Sequence, residues 1–332
     1  MRISPEREAA LQAIWYGGRP PGLGLRALAL LYRVLRGLTL LPWWLRLRRP
    51  QVFDVPVVVV GNLAVGGTGK TPLVIALVEA LRARGVGVGV VSRGYGRHTR
   101  GVHLVDRGSR ASDVGDEPLL IARRTRAPVA VGEDRVAALK RLIGVVPLDL
   151  VIADDGLEHH ALGRAAEIVV IDGSRGFGNG LLLPAGPLRA PRARLRGVLA
   201  EVWNGAPPPG QPAAPCMRIV PTALRPLGGG PAHALADWRG RRAHLVAGTG
   251  NPARVFETVR GLGIEVIEHP LPDHSDYREG PPSFDDGLPV ITTEKDAVKL
   301  APRADWYVLE TSAELPQGLV DALLQALKLE ID

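Results

Sequence analysis

From residue 55 onward the chain alternates short, wholly apolar runs with stretches of helical spacing. The runs 57–60, 86–91, 150–153 and 168–171 read as strands, and 73–84 reads as the helix between the first two. Strands that are apolar on both faces and separated by helix-length segments imply a parallel sheet covered by helices on both sides. A second α/β unit is expected further on, with strands at 244–247, 265–268 and 290–293, a helix at 251–261 and a closing amphipathic helix at 315–329. Between the two, 206–215 is rich in Pro and Gly and 228–231 repeats that character, so 206–240 is expected to be linker or irregular connection. Ahead of everything, a helical wheel over 25–41 places Arg26, Arg33 and Arg36 on one side and Leu28, Leu31, Leu35 and Leu38 on the other. The expected organisation is a basic amphipathic region at 1–50, a main α/β domain at 51–205, the connection at 206–240 and a smaller C-terminal α/β domain at 241–332. No internal repeat is visible.

Composition agrees with a folded globular chain and adds a question about charge. The 332 residues suffice for one large or two ordinary α/β domains, and 46% hydrophobic with 23% charged residues is ordinary for them. A net charge of +7 asks for an anionic partner without separating nucleic acid, phosphorylated metabolites and an acidic membrane surface. Its placement narrows the choice. Residues 1–50 hold nine Arg and no Lys against Glu6 and Glu8, with Trp15, Trp43 and Trp44 among them. A basic face, a Leu face and a Trp pair followed by Arg46, Arg48 and Arg49 suit a helix lying in the headgroup layer of an anionic bilayer. The competing expectation is a helix packed on its own domain with solvated arginines. Cys216, the only cysteine, excludes an internal disulfide and a cysteine-based metal cluster, which fits a reducing compartment. No apolar run reaches the roughly 18–20 residues that span a bilayer, and the start lacks a cleavable signal pattern, so export is not expected.

The first chemistry sits after the valine run. Residues 57–72 read Val-Val-Val-Val-Gly-Asn-Leu-Ala-Val-Gly-Gly-Thr-Gly-Lys-Thr-Pro, a strand, a glycine loop and a helix start in the order a phosphate-binding loop requires. Gly66, Gly67, Thr68 and Gly69 let backbone N–H groups curl around phosphate oxygens, Lys70 reaches the β- and γ-phosphates of ATP, and Thr71 offers a hydroxyl to Mg²⁺. Pro72 suits the first helical turn. Ala64 stands where the strict pattern has its first Gly. The expected fold class is therefore α/β: a P-loop NTPase-like parallel sheet covered by helices, a smaller C-terminal α/β domain and an N-terminal amphipathic helix.

A second acidic strand end follows, where Leu-Val-Ile-Ala at 150–153 runs into Asp154, Asp155 and Gly156. Carboxylates at the C-terminal edge of a strand can hold Mg²⁺ directly or through water, whereas Asp-Asp-Gly can equally be a simple turn. Phosphoryl transfer to an alcohol also needs a base near the acceptor and cations around the transferred group. Asp113, Asp116 and Glu117 lie in a turn-like segment before a helix at 119–124, where helix capping is the competing role. His274 lies between acids in Pro-Asp-His-Ser-Asp, and with one of the first set it can form an Asp–His dyad. Arg93, Arg97 and Arg135 are candidates to clamp phosphates, against the ordinary alternative of solvated surface arginines.

Taken in order, these stretches resemble the tetraacyldisaccharide 4′-kinase family. The resemblance runs through 61–72, Ser-Arg-Gly-Tyr-Gly-Arg at 92–97, Gly-Asp-Glu-Pro at 115–118 and Asp-Asp-Gly-Leu-Glu-His at 154–159. It continues through Asp-Gly-Ser-Arg-Gly-Phe-Gly-Asn-Gly at 172–180, Leu-Leu-Pro-Ala-Gly-Pro-Leu-Arg at 182–189, Pro-Asp-His at 272–274 and Thr-Glu-Lys-Asp-Ala-Val-Lys at 293–299. The resemblance implies ATP- and Mg²⁺-dependent phosphorylation of the 4′-hydroxyl of an acylated glucosamine disaccharide 1-phosphate, giving lipid IVA. It further implies peripheral attachment to the cytoplasmic face of the inner membrane through the N-terminal basic helix, with no nucleic-acid and no protein partner. By the same resemblance Asp116 and His274 are the catalytic pair, Thr71, Asp154 and Asp155 the metal ligands, and Arg93, Tyr95, Arg135 and His159 lie at the substrate. Two departures stand out: Leu157 and Glu158 replace a Phe-Gln pair, and Ala190 stands where the family pattern has Glu, so a role for that glutamate does not carry over.

Two other classes fit a P-loop: a nucleotide-driven switch or ATPase acting on a macromolecule, and a membrane-attached protein that only binds nucleotide. Thr-Glu-Lys-Asp at 293–296 superficially resembles a guanine-reading motif but lies in the second expected unit. Aromatics interleave with basic residues only near the N-terminus, which argues against a nucleic-acid-binding face.

Overall fold

The computed structural model describes residues 5–207, 210, 213–277 and 280–329. Positions 208, 209, 211 and 212 of the expected linker, and the extreme ends of the expected terminal regions at 1–4 and 330–332, lie outside the described residues. In chain order, α1 (Pro5–Trp15) and α2 (Leu23–Trp44) precede β1 (Val57–Gly61) and α3 (Lys70–Arg82). Next come β2 (Val88–Ser92), β3 (His103–Val105), α4 (Ala111–Val114), α5 (Asp116–Thr125), β4 (Val129–Val131), α6 (Arg135–Ile143) and β5 (Leu150–Asp154). β6 (Ala166–Asp172), β7 (Ala200–Asn204) and β8 (Cys216–Pro226) follow. The chain ends with β9 (Arg242–Ala247), α7 (Pro252–Gly261), β10 (Glu265–Pro270), β11 (Val290–Thr293), α8 (Glu294–Ala297), β12 (Trp306–Glu314) and α9 (Leu319–Leu327).

Two compact units are each assembled from separated stretches: Met1–Lys70, Asp155–Met217 and Pro316–Glu330 in the first, Thr71–Asp154, Arg218–Leu315 and Ile331–Asp332 in the second. In the first unit β1, β6 and β7 form a parallel ladder, extended by the opening residues of β8 at Trp203 and Asn204. β1 is buried along its whole length, as the unbroken valine run requires.

α2 settles which way its faces turn. Leu28, Leu31, Leu35 and Leu38 are each more than half exposed, joined by Leu30 and Val34. The inward face is a third arc, where Tyr32 Oη donates to the Arg189 carbonyl at 2.9 Å and Leu40 is buried. Arg36, expected on the solvated side, instead lies on this inward arc and pairs with Glu158 at 3.2 Å. The expectation of a helix packed on its own domain with solvated arginines is met in part: α2 packs through this third arc, Arg26 and Arg33 are exposed, and the leucine face is left outward. Among the described residues no helix is long and apolar enough to cross a membrane.

In the second unit β5, β2 and β4 run parallel with β3 antiparallel at the edge. A further run joins β10, β9, β11 and β12 in parallel, with β8 antiparallel to β12. Its core gathers Leu224, Trp238, Leu245, Phe256, Val259 and Ile291. The expectation of linker across 206–240 is corrected here: 216–226 is a strand, and a short 3₁₀ turn at Leu235–Trp238 buries Trp238. Pro221 and Pro226 mask the strand signal, since proline cannot donate to a ladder. The register slips beside Pro221, between its partner Thr311 and Glu310, and that bulge accommodates the missing donor. Replacing Trp238 with Ala is expected to destabilise this core by about 3–5 kcal/mol. A urea unfolding transition that stays where it is in the wild type would contradict that packing role.

Candidate active site

In the first unit the residues after β1 form a loop clamped by its own asparagine. Asn62 Nδ2 donates to the carbonyls of Ala64 at 2.6 Å and Gly66 at 3.4 Å. Turning those carbonyls toward Asn62 leaves the loop's N–H groups for a bound anion. Gly69 has φ +94°, and a Cβ there would run into the Asn204 side-chain amide, which itself donates to the Thr68 carbonyl at 3.0 Å. Only glycine fits that place. Ala64, by contrast, is not among the positive-φ residues, so its departure from the strict motif costs no backbone strain. Lys70 Nζ bonds Asn62 Oδ1 at 3.1 Å and lies 3.6 Å from Asp155 Oδ1.

Asp155 sits at φ +50°, a conformation in which non-glycine residues are uncommon and often functional. Arg189 forks onto its two carboxylate oxygens at 3.2 and 3.4 Å and also donates to the Asn62 side chain. Lys70, Asp155, Asn62 and Arg189 thus make one charged cluster at the loop. Beside it, a shallow recess is lined by Tyr16, Gly66, Thr68, Asp172 and Arg175, among others. Asp154, buried at the end of β5 in the second unit, accepts from the Ser92 hydroxyl at 3.2 Å. Adjacent in sequence, the two acids thus have different neighbours. Among the described residues no three His, Cys, Asp or Glu side chains make a metal cage. Mg²⁺ does not need one: it takes one or two carboxylates and completes its shell with phosphate oxygens and water. The hard oxygen donors of Asp154, Asp155 and Thr71 suit it.

The second unit contains the acid–histidine pair. Asp116 opens α5 and is 5% exposed; His274 Nδ1 lies 3.0 Å from its Oδ2 and 3.2 Å from its Oδ1. A close backbone approach brings the surrounding motifs together, because a Cβ on Gly115 would come within 3.0 Å of Gly94. Tyr95, next to Gly94, tilts its ring onto His274 with centroids 4.7 Å apart. His274 has φ +57°, and its N–H is fixed by the Asp273 carboxylate at 3.0 Å.

The stretch 293–299 is the scaffold of this pair, and each of its polar residues has a partner. Thr293 caps α8 by accepting from the Asp296 N–H. Glu294 holds Arg124 and the Thr311 N–H, while the fully buried Asp296 accepts from the Gly248 N–H and the Thr293 hydroxyl. Lys295 Nζ reaches Asp273 at 2.9 Å, Glu117 at 3.2 Å and His274 Nε2 at 3.3 Å. Lys299 pairs with Asp296 at 2.8 Å and lies 3.8 Å from Asp116.

Charge follows from this arrangement. Burial pushes the Asp116 carboxyl up, but the His274 hydrogen bond and the Lys295 and Lys299 charges outweigh it and hold the group below its ordinary value. Burial also works against the Lys295 ammonium, yet Glu117, Asp273 and Asp116 raise it above the usual lysine range. An ionised carboxylate only accepts and an ammonium only donates. The His274 ring lies between that acceptor and that donor, with Nδ1 against Asp116 and Nε2 against Lys295.

The remaining expected residues differ in character. Arg93 is exposed, whereas Arg135 is buried at the start of α6 with its guanidinium 3.4 Å from the Glu133 carbonyl. Arg97 pairs with Glu133 at 2.7 Å and is a structural rather than a free cation. His159 is half-buried in the turn after Asp155, its carbonyl accepting from Arg164. Sequence reasoning assigned no role to Asn62, Arg189, Lys295 or Lys299, although each stands inside a stretch already singled out.

Residues 22–328 match the family profile described as tetraacyldisaccharide-1-P 4′-kinase (LpxK). A tetraacyldisaccharide 4′-kinase of Alkalilimnicola ehrlichii is 49% identical over 308 residues, which cover 90% of this chain and 91% of that relative. The one of Methylobacillus flagellatus is 44% identical over 321 residues, covering 96% and 95%. A solved structure, the "apo" form of LpxK from Aquifex aeolicus in complex with ATP, is similar with a TM-score of 0.77 at 26% identity, covering 91% of this chain and 98% of that one.

The depressed Asp116 pKa has a stability consequence whose sign is fixed. Its contribution is complete above the ordinary value of 3.8 and is lost as pH falls through the lower folded value. Asp116→Asn is expected to cost roughly 1–3 kcal/mol at neutral pH, the range for a buried charged hydrogen bond, and to remove that acid-side loss. Thermal melts of both proteins between pH 3 and 7 check it; parallel curves would contradict the assignment.

Proposed function

The chain belongs to the tetraacyldisaccharide-1-P 4′-kinase family, and from that premise we propose how its own residues carry out the reaction. The enzyme transfers the γ-phosphoryl group of ATP to the 4′-hydroxyl of tetraacyldisaccharide 1-phosphate. In our reading Gly66, Gly67, Thr68 and Gly69 cradle the phosphates with backbone N–H groups, and Lys70 neutralises the β- and γ-oxygens. Thr71, Asp154 and Asp155 are the side chains that would ligate Mg²⁺, which when bound would supply charge neutralisation on the phosphate oxygens.

Asp116 is the base. As the bond from the 4′-oxygen to phosphorus forms and the bond to the bridging oxygen of ADP breaks, the hydroxyl proton passes to the Asp116 carboxylate. An alcohol is a weak acid, so this transfer comes late, when the oxygen has already begun to lose electron density to phosphorus. His274 orients the carboxylate and keeps it ionised, and Lys295 fixes the imidazole from behind. The observation that supports this reading best is the 3.0 Å contact of His274 with the buried Asp116 carboxyl. Tyr95, exposed and with its ring tilted against His274, is assigned to the sugar, and exposed Arg93 to an anionic substrate group. Arg135 and His159 come to the substrate side through the family resemblance, and the burial of Arg135 favours a supporting role. The proposal keeps 51–205 as the kinase segment and 241–332 as the smaller C-terminal segment.

Attachment is peripheral in this proposal, at the cytoplasmic face of the inner membrane where ATP is available, and no nucleic-acid or protein partner is invoked. Support comes from the outward leucine stripe of α2, continued by exposed Trp44, Leu45 and Leu47 and flanked by exposed Arg26 and Arg33.

Incubation with labelled ATP, Mg²⁺ and tetraacyldisaccharide 1-phosphate in detergent micelles is expected to give a labelled bis-phosphorylated lipid. That product should vanish in Lys70→Ala. Asp116→Ala is expected to lower turnover by about 10²–10⁴-fold, the usual reach of a general base, with ATP binding largely kept; undiminished turnover would remove the dyad from the mechanism. For the membrane, combining Leu31→Glu with Leu35→Glu is expected to weaken binding to anionic vesicles on the order of 100-fold, from about 1.5 kcal/mol per buried leucine. Cosedimentation equal to that of the wild type would argue against α2 as the attachment.

A further inference from the structure

The inward face of α2 carries Tyr32, Arg36 and Trp43, and each meets a segment used by the phosphate loop. Tyr32 Oη donates to the Arg189 carbonyl at 2.9 Å. Arg36 Nη2 contacts both Glu158 carboxylate oxygens, at 3.2 and 3.3 Å. The Trp43 ring lies 6.3 Å from that of His160. Arg189 in turn holds Asp155 and Asn62, and Asn62 accepts from Lys70. Glu158 follows Asp155 by three residues. A continuous chain of polar contacts therefore runs, within the first unit, from the helix with the outward leucine stripe to the lysine and carboxylate of the cluster.

The Arg36–Glu158 pair joins α2 to the turn that follows Asp155. The Arg36 side chain is only 14% exposed and that of Glu158 40%. A charge so sheltered as Arg36 is costly to leave unpaired.

We infer that α2 is a positioning element for the nucleotide loop, with Tyr32 and the Arg36–Glu158 pair as its positioning residues. Seated, they fix the Arg189 backbone and the 155–160 turn, which keeps the Arg189 fork on Asp155 and Asn62 and keeps Lys70 aimed. The inference rests on the reading of Lys70 and Asp155 as nucleotide and metal groups. Because the leucine stripe belongs to the same helix, seating of α2 and binding of ATP are coupled: whatever favours one favours the other by the same factor.

The test is calorimetric binding of ATP–Mg²⁺ to the full chain in detergent without lipid, together with kcat and KM for ATP. The proteins are the wild type, Tyr32→Phe, Arg36→Glu, Glu158→Arg, the Arg36→Glu/Glu158→Arg exchange and Lys70→Ala. Tyr32→Phe and each single reversal are expected to weaken ATP binding and raise its KM by about three- to tenfold, the worth of one hydrogen bond or sheltered ion pair. The exchange should recover most of the loss, which a merely damaged fold does not do, and Tyr32→Phe keeps the ring and its packing. Single variants that bind ATP like the wild type, while Lys70→Ala does not, would overturn the inference and leave the nucleotide reading standing. Single reversals that the exchange fails to rescue would also overturn it. Undiminished ATP binding by Lys70→Ala would overturn both.

Discussion

A carboxylate taken out of water has to be compensated or it protonates, and Asp116 is the place where this chain meets that constraint. One histidine and two lysines are arranged so that the acid stays ionised despite its burial. Those lysines are themselves sheltered and need anions, which Glu117, Asp273 and Asp296 provide. The requirement propagates outward. Asp296 is held by the Gly248 N–H and by Thr293, and the helix start at Glu294 is tied to Arg124 and β12. Much of the polar order in the second unit can be traced to keeping one buried carboxylate charged and one imidazole oriented against it.

The first unit handles charge in the opposite sense. Its phosphate loop is prepared for an anion, and Asp155 balances Lys70 and Arg189. Asn62 joins the two cations and holds the loop carbonyls back. The same unit carries a helix whose outward face is apolar and whose inward face bonds to the loop's supports. A kinase with a lipid acceptor has reason to combine the two: its acceptor lies in an interface while its donor is dissolved in water.

What the sequence made legible follows from how local each signal is. The phosphate loop is contiguous, so its glycines, lysine and threonine could be read directly. The strands at β1, β5, β6 and β9 were plain because each is a short apolar run. β8 was hidden by two prolines that a bulge in its pairing tolerates. Asp116 and His274 stand 158 residues apart, and no periodicity links them; the residues alone suggested a dyad of His274 with one of Asp113, Asp116 and Glu117, and only the family resemblance picked Asp116. The wheel of α2 separated arginines from leucines correctly, yet it could not reveal that Arg36 turns inward, because that depends on Glu158 from a distant segment. Likewise Thr-Glu-Lys-Asp at 293–296 resembled a guanine-reading motif only superficially, and the scaffold role of 293–299 rests on partners that lie on other elements.

The account depends most on His274 acting through Asp116 rather than as an independent base. The direct measurement is the pH dependence of the single-turnover rate of phosphoryl transfer, at saturating ATP–Mg²⁺ and acceptor, in the wild type and in His274→Ala. Without the imidazole, burial is left with less opposition and the Asp116 carboxyl moves up. The account predicts a lower rate whose acid limb has shifted to higher pH. A reduced rate with the acid limb unmoved would contradict it, since ionisation of Asp116 would then not depend on the histidine.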